Sequence, residues 1–233
     1  IALWHFVNGE AVHGVMPWRV ANEGDVWFTA SKEEQTVYAF LTRGGEWRQR
    51  ERRAFSLTSV QASADTTLHV LGQADESREG PGIEWRQEGD RLQIEVARMQ
   101  RLYNTRRWPN PVVLKITAAR LGVVPPAVET DEAVEGGSPT TWRLQGRLTD
   151  VGEGDAPEVS FQYRPQRLLT DPLQPWQETE RQILASPGEF SVTAEVDPGV
   201  SYEFQALAHR GAVTVAGDKK YFQSGQPTNV TEV

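Results

Sequence analysis

Hydrophobic residues are clustered at the start of this chain and alternate with polar residues afterwards. Residues 3–7 (LWHFV) place apolar side chains close together, which a short helix can bury and a strand cannot present on one face. The Asn8-Gly9 pair follows, and both residues tolerate the left-handed conformation that ends many helices. The pattern therefore predicts one short helix over residues 1–7.

From residue 26 onward, β-branched and aromatic residues recur in short runs with a period of two, which is typical of half-buried strands. Turn residues such as Glu88-Gly89-Asp90 separate these runs. The predicted strands cover residues 26–30, 36–42, 55–61, 67–71, 82–87, 91–96, 112–117, 140–148, 158–164, 189–196, 201–209, 212–216 and 219–223. Short strands at this spacing predict antiparallel β-sandwiches.

Residues 123–139 (VVPPAVETDEAVEGGSP) divide the strands into two blocks. Prolines, acidic residues and a Gly-Gly pair are concentrated here, as is typical of a linker, although residues 127–130 also fit a first strand of the second block. We predict an all-β chain of two consecutive antiparallel β-sandwiches, preceded by a short N-terminal helix. The predicted segments are residues 1–21 for the helix and junction, 22–120 for the first sandwich, 121–139 for the linker and 140–233 for the second sandwich.

Composition narrows the classes of function. The chain has 233 residues and a formal net charge of -8, which disfavours nucleic acids and membranes as partners because both carry negative charge. It contains no cysteine, so disulfides, thiolate metal sites and thiol nucleophiles are excluded. The histidines show no metal-ligand spacing; they are His5, His13, His69 and His209. We expect neither a metal nor a cofactor.

Two adjoining segments carry a family resemblance: residues 3–18 (LWHFVNGEAVHGVMPW) and residues 23–42 (EGDVWFTASKEEQTVYAFLT). They resemble the part of glycoside hydrolase family 29 α-L-fucosidases where the last helix of the catalytic (β/α)8 barrel passes into a C-terminal β-sandwich. The positions that match the family pattern are Trp4, Val7, Asn8, Gly9, Glu10, Ala11, Gly14, Pro17 and Trp18. Val12, His13 and Val15 depart from it, and weaker agreement continues at residues 67–72 and 82–87.

This resemblance implies a C-terminal accessory portion of a retaining α-L-fucosidase, an enzyme that hydrolyses terminal α-L-fucosyl residues of glycans. The short helix would then be a remnant of the last barrel helix. The implied partners are the N-terminal catalytic barrel of the same enzyme and its fucosylated glycan substrate. Because the family's catalytic carboxylates lie upstream of Ile1, the resemblance implies that the 233 residues alone are inactive and contain no catalytic residue.

Glu10 is the tempting catalytic candidate, since it stands close to His13, a possible proton partner. Active sites of (β/α)8 barrels lie on the loops that follow strands, whereas a loop after the last helix emerges at the opposite face. Glu10 follows a predicted helix. We therefore expect it to hold the junction between domains and not to act in the reaction.

Residues 197–206 (DPGVSYEFQA) resemble the turn and F strand of fibronectin type III and related immunoglobulin-like domains. The resemblance implies that the hydroxyl group of Tyr202 binds back to the backbone as a tyrosine corner. Trp142 and Trp176 are predicted to fill the core of this second sandwich. A module of this kind on a fucosidase suggests a bacterial protein, which we expect to be periplasmic or secreted.

Trp47 and Trp108 belong to two arginine-rich stretches, residues 43–53 and 98–108. An indole ring can stack on the face of a sugar, so both are candidate ligand-binding residues; alternatively, they cover a seam between domains. Trp85 alternates with Ile83 in a predicted strand and is assigned to the core. The chain as a whole has an alternative interpretation, a free-standing carbohydrate-binding or adhesion module of two sandwiches, and a third, a structural spacer.

The first helix discriminates between these hypotheses. If its apolar side chains, Leu3, Trp4 and Phe6, are covered within the chain, a self-sufficient module is favoured. If they are exposed, they indicate an interface for a partner such as the barrel.

Overall fold

The computed structural model describes residues 2–225 except 34, 43–46, 49, 75, 78–79, 100–109 and 167–171. The chain divides into two compact units, Ile1–Val124 and Pro125–Val233. Within the described ranges, the regular structure is strand apart from one short α-helix and one 3₁₀ turn near the start. This confirms the predicted all-β fold with a short N-terminal helix.

The first unit begins with α1 (Ala2–Asn8), which passes directly into the 3₁₀ turn Gly9–Ala11. The helix ends at Asn8 as predicted, but neither Asn8, with a φ of −107°, nor Gly9 adopts the left-handed conformation. The strands of this unit are β1 (Val15–Glu23), β2 (Val26–Ser31), β3 (Thr36–Leu41), β4 (Arg52–Leu57), β5 (Val60–Gln61), β6 (Thr67–Val70), β7 (Glu76–Ser77), β8 (Gly80–Pro81), β9 (Ile83–Glu88), β10 (Arg91–Ala97), β11 (Val112–Thr117) and β12 (Arg120–Leu121).

Two antiparallel sheets build the first unit. One has the strand order β1-β2-β3-β11-β6, the other the order β4-β10-β9, and the short pairs β5-β12 and β7-β8 supplement them. Alternation along each strand decides which residues enter the core: β2 buries Val26 and Phe28 and turns Trp27 outward. In β10, Leu92 and Ile94 are buried while Gln93, between them, faces the other side. Each sheet therefore has an apolar inner face and a second, outer face.

The first sheet includes β1, a strand that the periodicity did not reveal, because its pairing with β2 shifts register between Pro17 and Asn22 and breaks the period of two. The predicted strand 55–61 is divided into β4 and β5. At the division, the buried carboxylate of Glu23 accepts hydrogen bonds from the backbone N–H and the hydroxyl group of both Thr58 and Ser59, at 2.6 to 2.9 Å. These two residues bind a distant carboxylate and leave the strand.

The second unit contains β13 (Ala127–Thr130), β14 (Val134–Glu135), β15 (Thr141–Asp150), β16 (Glu158–Pro165), β17 (Gln177–Glu178), β18 (Gln182–Ile183), β19 (Gly188–Glu195), β20 (Ser201–Arg210), β21 (Val213–Ala216) and β22 (Lys220–Gln223). One of its sheets has the order β13-β15-β14, with β19 also paired to β15. The other has the order β17-β16-β20-β21, with β22 paired to β20 and β18 to β16.

The boundary between the units falls after Val124, inside the predicted linker 121–139. Part of that segment is the first strand of the second unit, since β13 pairs with β15. The hydroxyl group of Thr130 accepts a hydrogen bond from the backbone N–H of Ala206 at 3.0 Å. The two sheets of the second unit are therefore joined through a residue that precedes the predicted domain start at 140.

The core of the second unit lies between its two sheets and is rich in aromatic rings. The predicted tyrosine-corner bond is present, because the backbone N–H of Asp197 donates to the hydroxyl oxygen of Tyr202 at 3.0 Å. Trp142 packs against the core as predicted, with its ring stacked on Phe222 at 4.6 Å between centroids.

The core prediction for Trp176 is wrong. This half-buried ring lies 4.0 Å from the guanidinium carbon of Arg164, which is bound to the buried carboxylate of Glu203 on the outer face of the sheet. A cation beneath the indole ring holds it outside the core, because the charged partners cannot enter an apolar interior.

Candidate docking surface at the N-terminal helix

The helix α1 packs on the outer face of the first sheet. Its inner side places Trp4 against Phe40 of β3, with 6.5 Å between ring centroids, and the indole N–H of Trp4 donates to the carbonyl oxygen of Pro111 at 3.0 Å. Asn8 is buried and its amide group donates to the carbonyl oxygen of Trp4 at 2.9 Å, which ties the last turn together. The inner side of α1 is thus fixed by both packing and hydrogen bonds.

Glu10 anchors the 3₁₀ turn that follows the helix. Its Oε2 accepts a hydrogen bond from the hydroxyl group of Tyr38 at 3.0 Å and one from Lys115 Nζ at 2.5 Å. Burial, followed by the hydrogen bond to this carboxylate, raises the pKa of Tyr38 to about 12. These contacts anchor the 3₁₀ turn on the first sheet; that Glu10 holds a junction between domains stays a prediction.

A glycine allows the helix to approach the sheet. Gly72 has a φ of +71°, and a Cβ at this position would lie 2.2 Å from Val7 Cγ1. No other residue type fits both the left-handed backbone and this contact without a shift of the helix. The docking of α1 therefore depends on Gly72 as well as on the apolar side chains of the helix.

The outer side of α1 is also apolar but is exposed. Phe6 is 86% exposed and Leu3 is 42% exposed, while Trp27 lies opposite Phe40 in the β2–β3 pairing and is 47% exposed. We refer to Leu3, Phe6 and Trp27 as the apolar surface. The exposure of the first helix, which was to distinguish a self-sufficient module from one with a partner, gives a mixed answer. Trp4 is half-buried within the chain, whereas Leu3 and Phe6 are exposed.

The predicted ligand-binding tryptophans are placed as follows. Trp47 is buried; its indole N–H donates to the carbonyl oxygen of Glu51 at 2.8 Å, and the guanidinium carbon of Arg53 lies 4.9 Å from its ring centroid. Trp108 lies outside the described residues. Trp85 is half-buried in β9. A sugar-binding role for Trp47 and Trp108 stays a prediction.

A Ser-His-Glu cluster in the second unit was not foreseen from the sequence. His209 is buried, and its Nε2 lies 3.0 Å from the hydroxyl oxygen of Ser160 and 3.2 Å from Glu178 Oε1. Its Nδ1 faces the hydroxyl oxygen of Thr214 at 3.2 Å. In a nucleophilic triad the carboxylate binds the ring nitrogen opposite the serine. Here both partners meet the same nitrogen, so the arrangement fastens the edge strand β17 and does not activate Ser160.

Candidate metal ligands do not cluster among the described residues. His5 and His13 lie with their ring centroids 6.1 Å apart beside α1. In the part of the chain that the structure describes, no group of three or more histidine, cysteine, aspartate or glutamate residues is arranged to hold a metal ion. Among the described residues, no helix has the length and apolar character of a membrane span.

Comparison with known proteins gives distant likenesses. No protein-family model and no curated protein matches the chain. The sensor domain of the anti-sigma factor RsgI4 from Pseudobacteroides cellulosolvens is 16% identical over 44% of this chain and 97% of its own, with a TM-score of 0.36. A β-glucuronidase from Bacteroides uniformis is 12% identical over 82% of this chain and 26% of its own, with a TM-score of 0.27. Likenesses at these TM-scores assign neither a family nor an activity.

The fold and the contacts together define a protein of two β-sandwich units whose N-terminal helix is docked on one side and apolar on the other. The side chain that sequence reasoning singled out, Glu10, belongs to the docked side. The sequence pattern grouped Trp4 and Phe6 in one apolar cluster that a short helix can bury, whereas in the structure Trp4 is half-buried and Phe6 is turned outward.

Proposed function

We propose that this chain is the C-terminal accessory portion of a retaining α-L-fucosidase, and that it supports a catalytic barrel which removes terminal α-L-fucosyl residues from glycans. The observation that carries the proposal is the two-sided helix. Its inner side is fixed to the first sandwich through Trp4, while its outer side presents Phe6, 86% exposed. A helix that is apolar on opposite sides is typically buried between two domains.

The free energy gained by burying Phe6 agrees with an interface on the outer side of α1. Burying a phenylalanine side chain that is otherwise exposed contributes about 1.5–3 kcal/mol. A helix of seven residues is too short to be stable by itself in water, so the contacts of its inner side must hold it in shape. An exposed apolar cluster on an ordered helix is the usual mark of a protein–protein contact. We propose that the barrel implied by the family resemblance is the partner that covers this apolar cluster.

The described carboxylates support an accessory role. Glu10, the acidic residue of the resembling motif, is bound to Lys115 and Tyr38, which supports a structural role for its carboxylate. In this proposal the reacting carboxylates belong to the barrel. The accessory units contribute its support, in a bacterial protein that acts outside the cytoplasm.

The proposal is tested by assaying two proteins on an aryl α-L-fucoside: residues 1–233, and the longer protein encoded with the sequence upstream of Ile1. We expect no turnover by the first protein and turnover by the second. Substituting Phe6→Asp should lower the activity and the thermal stability of the longer protein, while leaving residues 1–233 as stable as before. Tyr221→Asp, at an exposed aromatic residue of the second unit, is the matched control and should change neither protein.

Two results would overturn the proposal. Turnover by residues 1–233 that is abolished by Glu10→Ala would place the chemistry in this chain. An upstream sequence that encodes no barrel, together with saturable glycan binding by residues 1–233, would instead support the free-standing binding module.

A further inference from the structure

The outer face of the sheet β4-β10-β9 in the first unit contains a concavity that the proposed barrel contact does not use. Its volume is about 230 Å³, and its lining includes Ala54, Glu84, Arg86, Gln93 and Glu95. The strand registers bring these side chains together, because Glu95 pairs with both Ala54 and Glu84. Ala54 has the smallest side chain of the set and forms a recess between longer neighbours.

The two carboxylates of the concavity are held in place by one guanidinium group. Arg52 Nη1 binds Glu84 Oε1 at 3.2 Å and Glu95 Oε1 at 3.3 Å, and Arg52 Nη2 donates to the carbonyl oxygen of Pro81 at 3.0 Å. Within the described ranges, neither carboxylate uses its Oε2. Two hydrogen-bond acceptors on adjacent strands are therefore fixed in position and remain available to a ligand.

Donors stand beside these acceptors. Gln93 pairs with Arg86 across the strands, and its half-buried amide group has no hydrogen-bond partner among the residues that the structure describes. Arg86 is 72% exposed at its side chain and uses its Nε for Glu88, so its terminal nitrogens are available as donors. The concavity thus combines free acceptors and free donors within the reach of one small molecule.

The charges of this face cancel. Equal numbers of guanidinium and carboxylate groups project from the three strands, supplied by Arg52, Arg86 and Arg91 and by Glu84, Glu88 and Glu95. A balanced face gives no long-range attraction to a free anion or a free cation. Hydroxyl groups, which donate and accept at once, match such a mixed set better than any group of one charge.

We propose that this concavity binds one pyranose residue of a neutral glycan. Glu84 and Glu95 accept hydrogen bonds from adjacent sugar hydroxyl groups, Gln93 and Arg86 donate to hydroxyl oxygens, and the recess above Ala54 receives the edge of the ring. The ligand class rests on the proposed function, because a fucosidase acts on glycans. A concavity of about 230 Å³ suits one sugar unit and not an extended chain.

The test is an NMR titration of residues 1–233 with L-fucose, D-galactose and N-acetyl-D-glucosamine, monitored through backbone amide shifts. We expect saturable shifts confined to β4, β9 and β10 for at least one sugar, with a Kd of about 1 mM. The binding should be insensitive to added salt, because the sugar is uncharged and the charges on this face of the sheet are balanced. D-glucuronate, the anionic probe, should bind no better than the neutral sugars.

Ala54→Ile should weaken binding by about tenfold or more, because the larger side chain fills the recess. Its matched control is Ser56→Ile, on the same exposed face of β4 but outside the lining, which should leave binding unchanged. Both positions are exposed, so neither substitution disturbs the core. Thermal unfolding verifies that the variants remain folded.

The proposal is overturned if no neutral sugar gives saturable shifts, if D-glucuronate alone binds, or if Ala54→Ile and Ser56→Ile have equal effects. These outcomes are separable from the fate of the proposed function. Sugar binding is measured on residues 1–233, whereas the support of a barrel is measured by the activity of the longer protein.

Discussion

The docking of α1 can be tested at Gly72, because a methyl group added at this residue would overlap with a side chain of the helix. Gly72→Ala places a side chain at a φ of +71°, which costs a non-glycine residue about 1–2 kcal/mol. The new Cβ also lies 2.2 Å from Val7 Cγ1, and overpacking of this kind costs about 1–3 kcal/mol. We therefore expect the free energy of unfolding of the first unit to fall by about 2–5 kcal/mol.

A double-mutant cycle separates the two costs. Val7→Ala removes the methyl group that overlaps with the new side chain, so the combined variant should retain the backbone cost without the overlap. We expect a favourable coupling energy of about 1–3 kcal/mol between the two substitutions. Gly89→Ala is the matched control: Gly89 has a φ of +60° but nothing within 4 Å of an added Cβ, so its cost should be independent of Val7.

Urea unfolding followed by tryptophan fluorescence measures each corner of the cycle. Strict additivity of Gly72→Ala and Val7→Ala would show that the helix does not contact the turn as described. A coupling as large for Gly89→Ala would show that the effect is not local to α1.

Two further predictions concern buried polar groups. Glu23→Ala should lower the free energy of unfolding by about 3–5 kcal/mol, because the donors of Thr58 and Ser59 lose a buried acceptor. Ser59→Ala should lower it by only about 1 kcal/mol. Equal losses for the two substitutions in urea unfolding would contradict this prediction. Burial, and then the charge of Arg181, hold the pKa of His209 below 6.5, against the opposing effect of nearby carboxylates. The unfolded chain then binds more protons, so stability is full above about pH 6.5 and decreases as the pH falls below it. His209→Gln should flatten this decrease in the thermal midpoint, and an unchanged pH profile would refute the assignment.

The strands that sequence alone predicted are those whose pairing keeps one face buried throughout. β11 runs over residues 112–117 as predicted, with Val112, Val113 and Leu114 all buried in an apolar run. β10 extends the prediction 91–96 by one residue, and its alternation over those residues reflects the burial of one face. The bond between Tyr202 and Asp197 was implied by the resemblance of residues 197–206 to the turn and F strand of fibronectin type III domains, and its two partners are only five residues apart. Local patterns therefore carried these parts of the fold.

The features that were missed depend on contacts between distant residues. β1 was not recognised because its register shift after Pro17 hides the period of two. The interruption between β4 and β5 requires Glu23, which lies 35 residues before Thr58. The concavity at Ala54 depends on the alignment of three strands, and no property of a single strand reveals it.

The N-terminal helix shows why an apolar cluster by itself does not identify an interface. Trp4 and Phe6 are close in the sequence, but only the packing of Trp4 against the sheet shows that Phe6 faces away from it. The bonds of Glu10 to Tyr38 and Lys115 hold the following turn whether or not a partner is bound. A partner that contacts Phe6 therefore meets a helix that is already ordered, and association does not have to supply the conformational entropy of forming it. In the proposed enzyme, this pre-ordering would favour association with the barrel even though the helix is short.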